Sequence, residues 1–168
     1  MGLDLSITEK GPKSINGTSN YVKAVYDATG SKKLFYLWAF DSMSDNCEEV
    51  TGWGCVYPNQ VAWYKEKSAQ LIEEDGGEVL PGYAFFHIPV PEFLDMWNLN
   101  DVYGNRHDTV SCQSVDTGLY SVMKEIGNIR AIIVGHDHQN DYWGDYNGIR
   151  LYFGRKTGYG GYGPTHYF

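Results

Sequence analysis

The sequence predicts an α/β fold in which mixed β-sheets are flanked by helices. Segments rich in aromatic and β-branched residues alternate with segments whose apolar residues recur at helical spacing. A short buried strand follows a helix within residues 116–134, which indicates a βαβ unit with a right-handed crossover. The chain has 168 residues and neither an internal repeat nor a low-complexity linker, so residues 1–168 are interpreted as a single domain.

The first half of the chain predicts two strands, a loop and a helix. Residues 21–26 and 33–40 are rich in aromatic and β-branched side chains, with a turn between them. Residues 41–57 are polar, have no clear period and predict a loop. Pro58 suits the first position of a helix, and apolar residues at helical spacing continue to Glu74.

The middle of the chain predicts a buried strand and a short helix. Residues 79–87 form a strongly apolar run, which is typical of a strand covered on both faces. Pro89 ends this run, and Pro91 can open a short helix that continues to Trp97. Residues 98–111 are polar and predict a loop.

The last third predicts a helix, a strand and a hairpin. Asp116 or Thr117 caps a helix that ends near Gly127, and a buried strand follows at residues 130–134. Asn147-Gly148 is a strong hairpin signal. The two hairpin strands are predicted at residues 141–146 and 149–153. The last fifteen residues are dense in Gly and Tyr and predict an ordered irregular loop.

Charge and hydropathy argue against two classes of partner. The formal net charge is −8, and an acidic protein gains nothing from counterion release on nucleic acid. No apolar run approaches the roughly 18–20 residues that a membrane span needs. The glycosylation sequon at Asn16 slightly favours a secretory or endolysosomal location. Residues 1–11 lack the pattern of a signal peptide, which leaves a cytoplasmic location open.

The chain contains three cysteines, Cys47, Cys55 and Cys112. That number is too small for a disulfide scaffold and leaves one cysteine over. Cys47 and Cys55 share a predicted loop and could form a disulfide, while free thiols are the alternative that spacing leaves open.

Three of the five histidines end predicted strands. His87 closes the apolar strand, and His136 and His138 follow the buried strand that ends in Gly135. Sites in α/β sheets form beyond the carboxyl ends of strands, and residues i and i+2 of an extended segment point to the same side. Neutral imidazole is a ligand for zinc, iron and manganese. A metal site at His87, His136 and His138 is therefore predicted, whereas any one of them alone would be interpreted as a polar surface residue.

Other residues near these histidines are weaker candidates. Asp137 and Asp141 either orient the histidines or are solvated loop acids. Arg155 either meets a phosphate or belongs to a solvated turn. His107 is interpreted as solvated and His166 as frayed. A P-loop, a nucleophile elbow and a Cys-x-x-Cys pair are all missing from the sequence, and no catalytic residue is assigned.

Several motifs together extend over residues 11–168. They are, in chain order, Ser14-Ile15-Asn16-Gly17-Thr18-Ser19-Asn20-Tyr21-Val22, Gln60-Val61-Ala62-Trp63-Tyr64, Phe86-His87-Ile88-Pro89-Val90-Pro91-Glu92, Gly135-His136-Asp137-His138 with Asn140-Asp141, and Gly154-Arg155-Lys156-Thr157-Gly158-Tyr159-Gly160-Gly161-Tyr162-Gly163. This ordered set resembles calcineurin-like metallophosphoesterases, and in particular the purple acid phosphatase-related branch of plants, fungi and protists.

The resemblance implies the second half of a four-layer α/β/β/α sandwich with a dinuclear site of Fe, Zn or Mn. His87 and His136 would share one metal ion, and His138 would hold its neighbour. In the complete family two metal ions polarise a phosphomonoester, and a metal-bound hydroxide attacks it in line.

Three family motifs are not present: Asp-x-His, Gly-Asp-x-x-Asp and Gly-Asn-His-Asp/Glu, which precede the Ile15 segment in the family. The bridging aspartate is among the ligands that they supply. Without a bridging anion two cations repel each other strongly, so at most one weakly bound metal ion is expected.

We therefore expect a truncated or degenerate phosphoesterase with little or no activity, and a phosphate ester substrate if it is active. The missing family motifs belong to a half that also supplies about half of the sheet, so an exposed apolar face or edge is expected. Such a face predicts self-association or packing against a partner. The alternatives are a non-catalytic metal-binding or interaction module derived from the same fold, and a fragment of a longer enzyme.

Overall fold

Nine strands and three helices lie within residues 3–163, the part of the chain that the computed structural model describes. The strands are β1 (Tyr21–Tyr26), β2 (Lys33–Ala39), β3 (Asp45–Cys47), β4 (Val50–Trp53), β5 (Gly82–Phe85), β6 (Val102–Asn105), β7 (Ile129–Val134), β8 (Asp141–Tyr146) and β9 (Ile149–Phe153). The helices are α1 (Pro58–Glu74), α2 (Glu92–Leu99) and α3 (Leu119–Ile126). The predicted α/β fold with mixed sheets and flanking helices is confirmed.

Seven strands form one sheet in the order β1-β2-β5-β7-β9-β8-β6, and β3 and β4 form a separate hairpin. The central strands β2, β5, β7 and β9 are parallel, while β1, β8 and β6 are antiparallel to their neighbours. Because parallel strands share a direction, the segments that follow β5, β7 and β9 all leave the sheet at the carboxyl ends of these strands. The predicted histidines lie at this end of the sheet.

Helix α1 has the predicted bounds, and Gln60 ties its first turn to the sheet. The Gln60 side chain accepts a hydrogen bond from the Tyr57 N–H at 2.6 Å. Its amide nitrogen donates to the Asn20 side chain at 2.6 Å and to the Asp41 carbonyl at 2.7 Å. Gln60 is fully buried, so these bonds satisfy its polar atoms and join three segments.

Helix α3 begins later than predicted. Its N-cap is Gly118, whereas Asp116 or Thr117 was expected to cap it. The Asp116 carboxylate accepts from the Gly118 N–H at 2.9 Å, and the Thr117 hydroxyl donates to the Val56 carbonyl at 2.6 Å. Both side chains are thus used before the helix starts. Gly127 ends the helix in the left-handed conformation that favours glycine, as predicted.

Two predicted loops contain strands. Residues 41–57 include the β3–β4 hairpin, and a disulfide joins Cys47 to Cys55 next to it. Residues 98–111 include β6, which pairs with β8 at the edge of the sheet. All three strands are short and mostly exposed, so they lack the apolar alternation by which sequence patterns reveal strands. Backbone pairing and the disulfide supply the order that apolar burial does not.

The apolar run 79–87 supplies only the four residues of β5. Pro81 has no N–H to donate to a ladder, and the strand begins at the next residue. The other predicted strands agree with the structure to within one residue, and residues 154–163 of the predicted terminal loop are irregular.

The core lies between the three helices and one face of the large sheet. Trp38 of β2 is 1% exposed and meets the fully buried Tyr64 of α1 with ring centroids 4.8 Å apart. Phe93 of α2 packs edge-on against Phe153 of β9 at 5.6 Å. The opposite face of the sheet has no helix over it among the described residues. None of the helices in residues 3–163 is both long and apolar enough to cross a membrane.

Candidate functional site

His87 and His136 meet at the sheet edge where β5 and β7 end. The Nδ1 atom of His136 lies 3.4 Å from the Nε2 atom of His87, and the rings are nearly perpendicular. In the absence of a metal ion this contact is an N–H···N hydrogen bond whose direction depends on the tautomers of the two rings. Two of the three predicted ligands are therefore brought together.

The backbone of the two strand ends holds this pair in place. β5 and β7 are adjacent and parallel, and the Gly135 N–H donates to the His87 carbonyl at 3.1 Å. A Cβ atom at Gly135 would lie 3.3 Å from Nδ1 of His87. Glycine at this position therefore leaves room for the His87 ring to lie against the next strand.

His136 has an unusual backbone conformation and an aromatic neighbour. Its φ angle is +79°, in the left-handed region that is costly for a residue with a side chain. Trp53 of β4 packs against the His136 ring, with centroids 4.4 Å apart and planes nearly perpendicular. The β3–β4 hairpin, fastened by the nearby Cys47–Cys55 disulfide, thus forms one wall of the site. The strain and the wall together fix where the imidazole points.

Burial lowers the pKa of both His87 and His136, because part of each ring is removed from water. A positive charge on His138 lowers both pKa values further, whereas the Asp137 carboxylate opposes the shift. These shifts favour the neutral form of both rings. A neutral imidazole has a lone pair that can bind a metal ion.

His138 lies next to the pair but is fastened to the terminal loop. Its Nδ1 is 2.6 Å from the Tyr162 carbonyl oxygen, and its ring stacks on the Tyr162 ring at 4.3 Å. A carbonyl only accepts, so Nδ1 carries a proton, and Nε2 is the nitrogen of this ring that a metal ion could reach. The Tyr162 hydroxyl in turn donates to the Asp108 carboxylate at 3.0 Å.

Asp137 and Asn140 hold the loop that carries the histidines. Asp137 is 3% exposed, and its carboxylate accepts from the Ser111 N–H at 3.0 Å. Asn140 is fully buried, and its side-chain oxygen accepts from the N–H groups of His107 and Asp108 at 2.9 Å each. These bonds tie residues 137–140 to residues 107–111.

Asp141 and Arg155 form an ion pair with each other. The Arg155 guanidinium donates to the Asp141 carboxylate, which joins the start of β8 to the segment after β9. Both side chains are partly buried, with side-chain exposures of 22% for Arg155 and 34% for Asp141. The pair lies beside the histidine loop and links two of the segments around it.

No group of three or more His, Cys, Asp or Glu side chains within residues 3–163 has the spacing of a metal site. His107 is exposed, as predicted for a solvated loop histidine, and His166 lies outside the described residues. The metal-ligand roles of His87, His136 and His138 therefore stay predictions.

Sequence reasoning missed four residues that shape the site: Trp53, Asp108, Asn140 and Tyr162. Trp53 reaches His136 only because a hairpin forms in an apparent loop. Tyr162 lies in the Gly- and Tyr-rich tail, where its neighbours in sequence do not distinguish it. Asn140 follows the histidine motif directly, so its position was the one available signal.

The chain is similar to three proteins of Arabidopsis thaliana. It is 32% identical over 164 residues to "Probable inactive purple acid phosphatase 29" and 33% identical over 156 residues to "Probable inactive purple acid phosphatase 28". It is 28% identical over 165 residues to "Probable inactive purple acid phosphatase 14". Over most of its length the chain is therefore similar to proteins named as inactive purple acid phosphatases.

The alignments with these purple acid phosphatase-related proteins cover 90%, 89% and 90% of this chain. The chain spans only 42%, 38% and 41% of the length of the same relatives. No protein-family model matches the chain, and no solved structure matches it at a significant level. A phosphatase-derived origin agrees with the resemblance that the histidine motifs suggested.

Proposed function

We propose that the chain is a calcineurin-like, phosphatase-derived domain that binds one divalent metal ion through His87 and His136 and hydrolyses phosphomonoesters weakly or not at all. The observation that carries this proposal is the 3.4 Å separation of the two facing imidazole nitrogens. The names of the relatives, each described as probably inactive, support the low activity.

The separation of the two nitrogens fits a shared metal ion. Two nitrogens that each lie about 2.05 Å from a tetrahedral zinc ion are roughly 3.3 Å apart. That value is close to the separation found between His136 Nδ1 and His87 Nε2. Little rearrangement would be needed for both lone pairs to reach one ion, because the strand ends and Trp53 already orient the rings.

The number of protein ligands supports weak binding. Structural zinc sites have four protein ligands and catalytic sites have three. The His87–His136 pair offers two, and water or substrate oxygens would have to complete the coordination. His138 presents its Nε2 lone pair nearby and could join after a movement of the terminal loop that holds Tyr162.

A bound metal ion would supply Lewis-acid polarisation of a phosphate oxygen. The residues of this chain would contribute neutral imidazoles and an indole wall that limits access of water on one side. A positively charged side chain near the pair would help to bind an anionic ester. The Lys156 ammonium does not serve this purpose here, because it donates to the Gly161 carbonyl at 3.0 Å. These features suit metal binding better than turnover.

Calorimetric titration of the protein with zinc tests the metal site. We expect one ion per chain with micromolar or weaker affinity, and an affinity at least tenfold lower in His87→Ala and in His136→Ala. His107→Ala is the matched control, because His107 is an exposed histidine of the adjoining loop. Zinc binding that is unchanged in both site variants would refute the assignment.

Hydrolysis of p-nitrophenyl phosphate with added Mn, Fe or Zn measures the activity. Slow turnover that disappears when His87, His136 and His138 are all replaced by Ala would identify a weak phosphoesterase. Metal binding without turnover would identify the alternative, a non-catalytic metal-binding module. Turnover that survives the triple replacement would exclude the histidine site as its origin.

A further inference from the structure

The face of the large sheet that points away from the helices carries a continuous row of apolar side chains. By their register the neighbouring residues Ala39, Phe85, Ile133, Tyr152 and Trp143 form this row. The row beside it begins with Leu37, Tyr83 and Ala131 and ends with Arg150 and Asp145, and we call the two rows together the open face. Tyr83 and Phe85 are each 40% exposed, although they lie on a central strand. A monomeric soluble protein rarely exposes so continuous an apolar surface.

The acidic character of the chain is not found on the open face. The charged residues along it are Lys23, Arg130, Arg150 and Asp145. Lys23 pairs with Glu9, and Arg150 forms a two-point ion pair with Asp145 at 2.8 and 2.9 Å. Arg150 also lies over the Trp143 ring at 4.6 Å. Two open faces can therefore meet without bringing together the acidic groups that give the chain its net charge of −8.

The amino-terminal segment adds exposed apolar side chains beside the sheet. Leu3, Leu5 and Ile7 alternate with polar residues, and a hydrogen bond from the Ser6 N–H to the Leu3 carbonyl at 2.9 Å closes a turn at the start of the segment. Ile7 lies in a groove with Leu37 and Phe85 at the margin of the open face. Leu3 is 80% exposed and Leu5 is 97% exposed, so this arm has apolar side chains without cover.

We infer that two copies of this chain associate through their open faces, with each amino-terminal arm packing against the other copy. Seven strands about 4.8 Å apart, each about five residues long at 3.3 Å per residue, present a projected area of roughly 500 Å². Side-chain relief and the arms raise this toward the ~800 Å² per partner of a stable interface. Two sheets stack face to face about 10 Å apart in the same way inside β-sandwiches.

Sedimentation equilibrium of the full chain tests this inference directly. We expect a mass that rises with concentration from 19.0 kDa to twice that value. A wild-type chain that stays monomeric up to about 100 µM would overturn the inference, since an interface of this size is expected to be tighter. A large partner of another kind would then be needed to cover the face.

Two charged substitutions on the open face should weaken the dimer. We expect Phe85→Glu and Tyr152→Glu each to raise the dissociation constant at least tenfold. Leu99→Glu is the matched control, because Leu99 is 74% exposed at the end of α2, on the helical side of the sheet. The control should leave the constant unchanged within twofold. A dimer that resists both face variants but not the control would contradict the assigned surface.

Cross-linking locates the interface without any substitution, in case a face variant does not fold. A mixture of isotope-labelled and unlabelled chains is treated with an amine-reactive reagent, and links between a labelled and an unlabelled peptide are mapped. Links that contain Lys23, on the first strand of the sheet, are expected. Intermolecular links confined to Lys65, Lys67 and Lys124, on helices α1 and α3, would overturn the inference.

Discussion

Single contacts orient the histidines of the candidate site. Nδ1 of His138 donates a hydrogen bond to the Tyr162 carbonyl, so that only Nε2 of this ring is turned away from the terminal loop. The backbone of His136 is in the left-handed conformation and its ring packs against Trp53, so that its Nδ1 faces His87. These contacts give the rings orientations determined by the protein, which the proposed two-histidine metal site would require.

Replacement of Asn140 by Ala tests how the histidine loop is held. The change leaves the partly buried N–H groups of His107 and Asp108 without their acceptor and removes the 3.2 Å bond to the Asp108 carbonyl. We expect a loss of about 2–4 kcal/mol of unfolding free energy, measured by urea denaturation. Asn100→Ala is the control, since the exposed Asn100 donates only to the Asp145 carbonyl at 3.1 Å. Equal effects at the two positions would show that Asn140 does not support the loop.

Single secondary-structure elements differ in what holds them. Helix α1 follows from its own sequence, with Pro58 at its first position and apolar residues at helical spacing. Strand β6 exists because it pairs with β8, and three of its four residues are exposed. The β3–β4 hairpin combines short pairing with the Cys47–Cys55 disulfide.

Burial raises the pKa of the third cysteine, Cys112, to about 11, so that its thiol stays protonated.

Gly104 is the position in strand β6 at which a substitution should destabilise the fold most. Its φ angle is +114°, and a Cβ atom there would lie 2.1 Å from the Asp141 carbonyl oxygen on β8. Gly148 in the hairpin turn also has a positive φ, of +91°, but a Cβ atom there would meet nothing. We expect Gly148→Ala to cost about 1 kcal/mol and Gly104→Ala clearly more, because the second change adds a backbone clash to the strain. Thermal unfolding of both variants measures this, and equal costs would mean that β6 is not tightly paired.

At the scale of the whole molecule, the large sheet is covered unequally. The helical side buries Trp38, Ile132 and Leu151, each at most 1% exposed. The open face leaves aromatic rings in contact with water. Hydrophobic stabilisation is proportional to the apolar area removed from water, so the isolated chain leaves part of that stabilisation unused. Association of two open faces would recover it.

The stability of the whole fold should depend on pH through Asp75, at the end of α1. Burial alone would raise the pKa of this carboxyl, but hydrogen bonds from Lys33 at 2.7 Å and from Tyr36 at 2.6 Å outweigh burial and lower it. A carboxyl whose pKa is lower in the folded chain stabilises the fold above its unfolded value of about 3.9. That contribution is lost as the pH falls below about 4, through the folded pKa.

Urea denaturation between pH 7 and pH 2 checks this dependence. Asp75→Asn should be less stable than the wild type at neutral pH, and the difference should shrink in acid. Tyr36→Phe removes one of the two donors and should give an intermediate dependence. A difference between wild type and Asp75→Asn that stays constant over the whole range would contradict the assignment.

Much of the secondary structure depends on residues that are close together in the chain, so it could be predicted from the sequence. Helix α1, strand β1 and the hairpin around Asn147-Gly148 depend on residue types and spacings within each segment. The same holds for the positions of His87 and His136 after buried strands, since strand ends and motif spacing are visible in the chain. The sequence also contained the signal for a phosphatase-derived origin, which the relatives support.

Other features depend on contacts between residues far apart in the chain, which no local pattern contains. The sheet order places β5 beside β7 and so brings His87 within 3.4 Å of His136, 49 positions away. The contact of Trp53 with His136, the edge strand β6 and the links that run from His138 through Tyr162 to Asp108 join residues 24–83 positions apart. The sequence by itself determined the three helices, the apolar strands and the ligand candidates, because propensity and periodicity act within a segment. The tertiary structure decided which histidines face each other and which face of the sheet is bare, because both follow from how the segments are assembled.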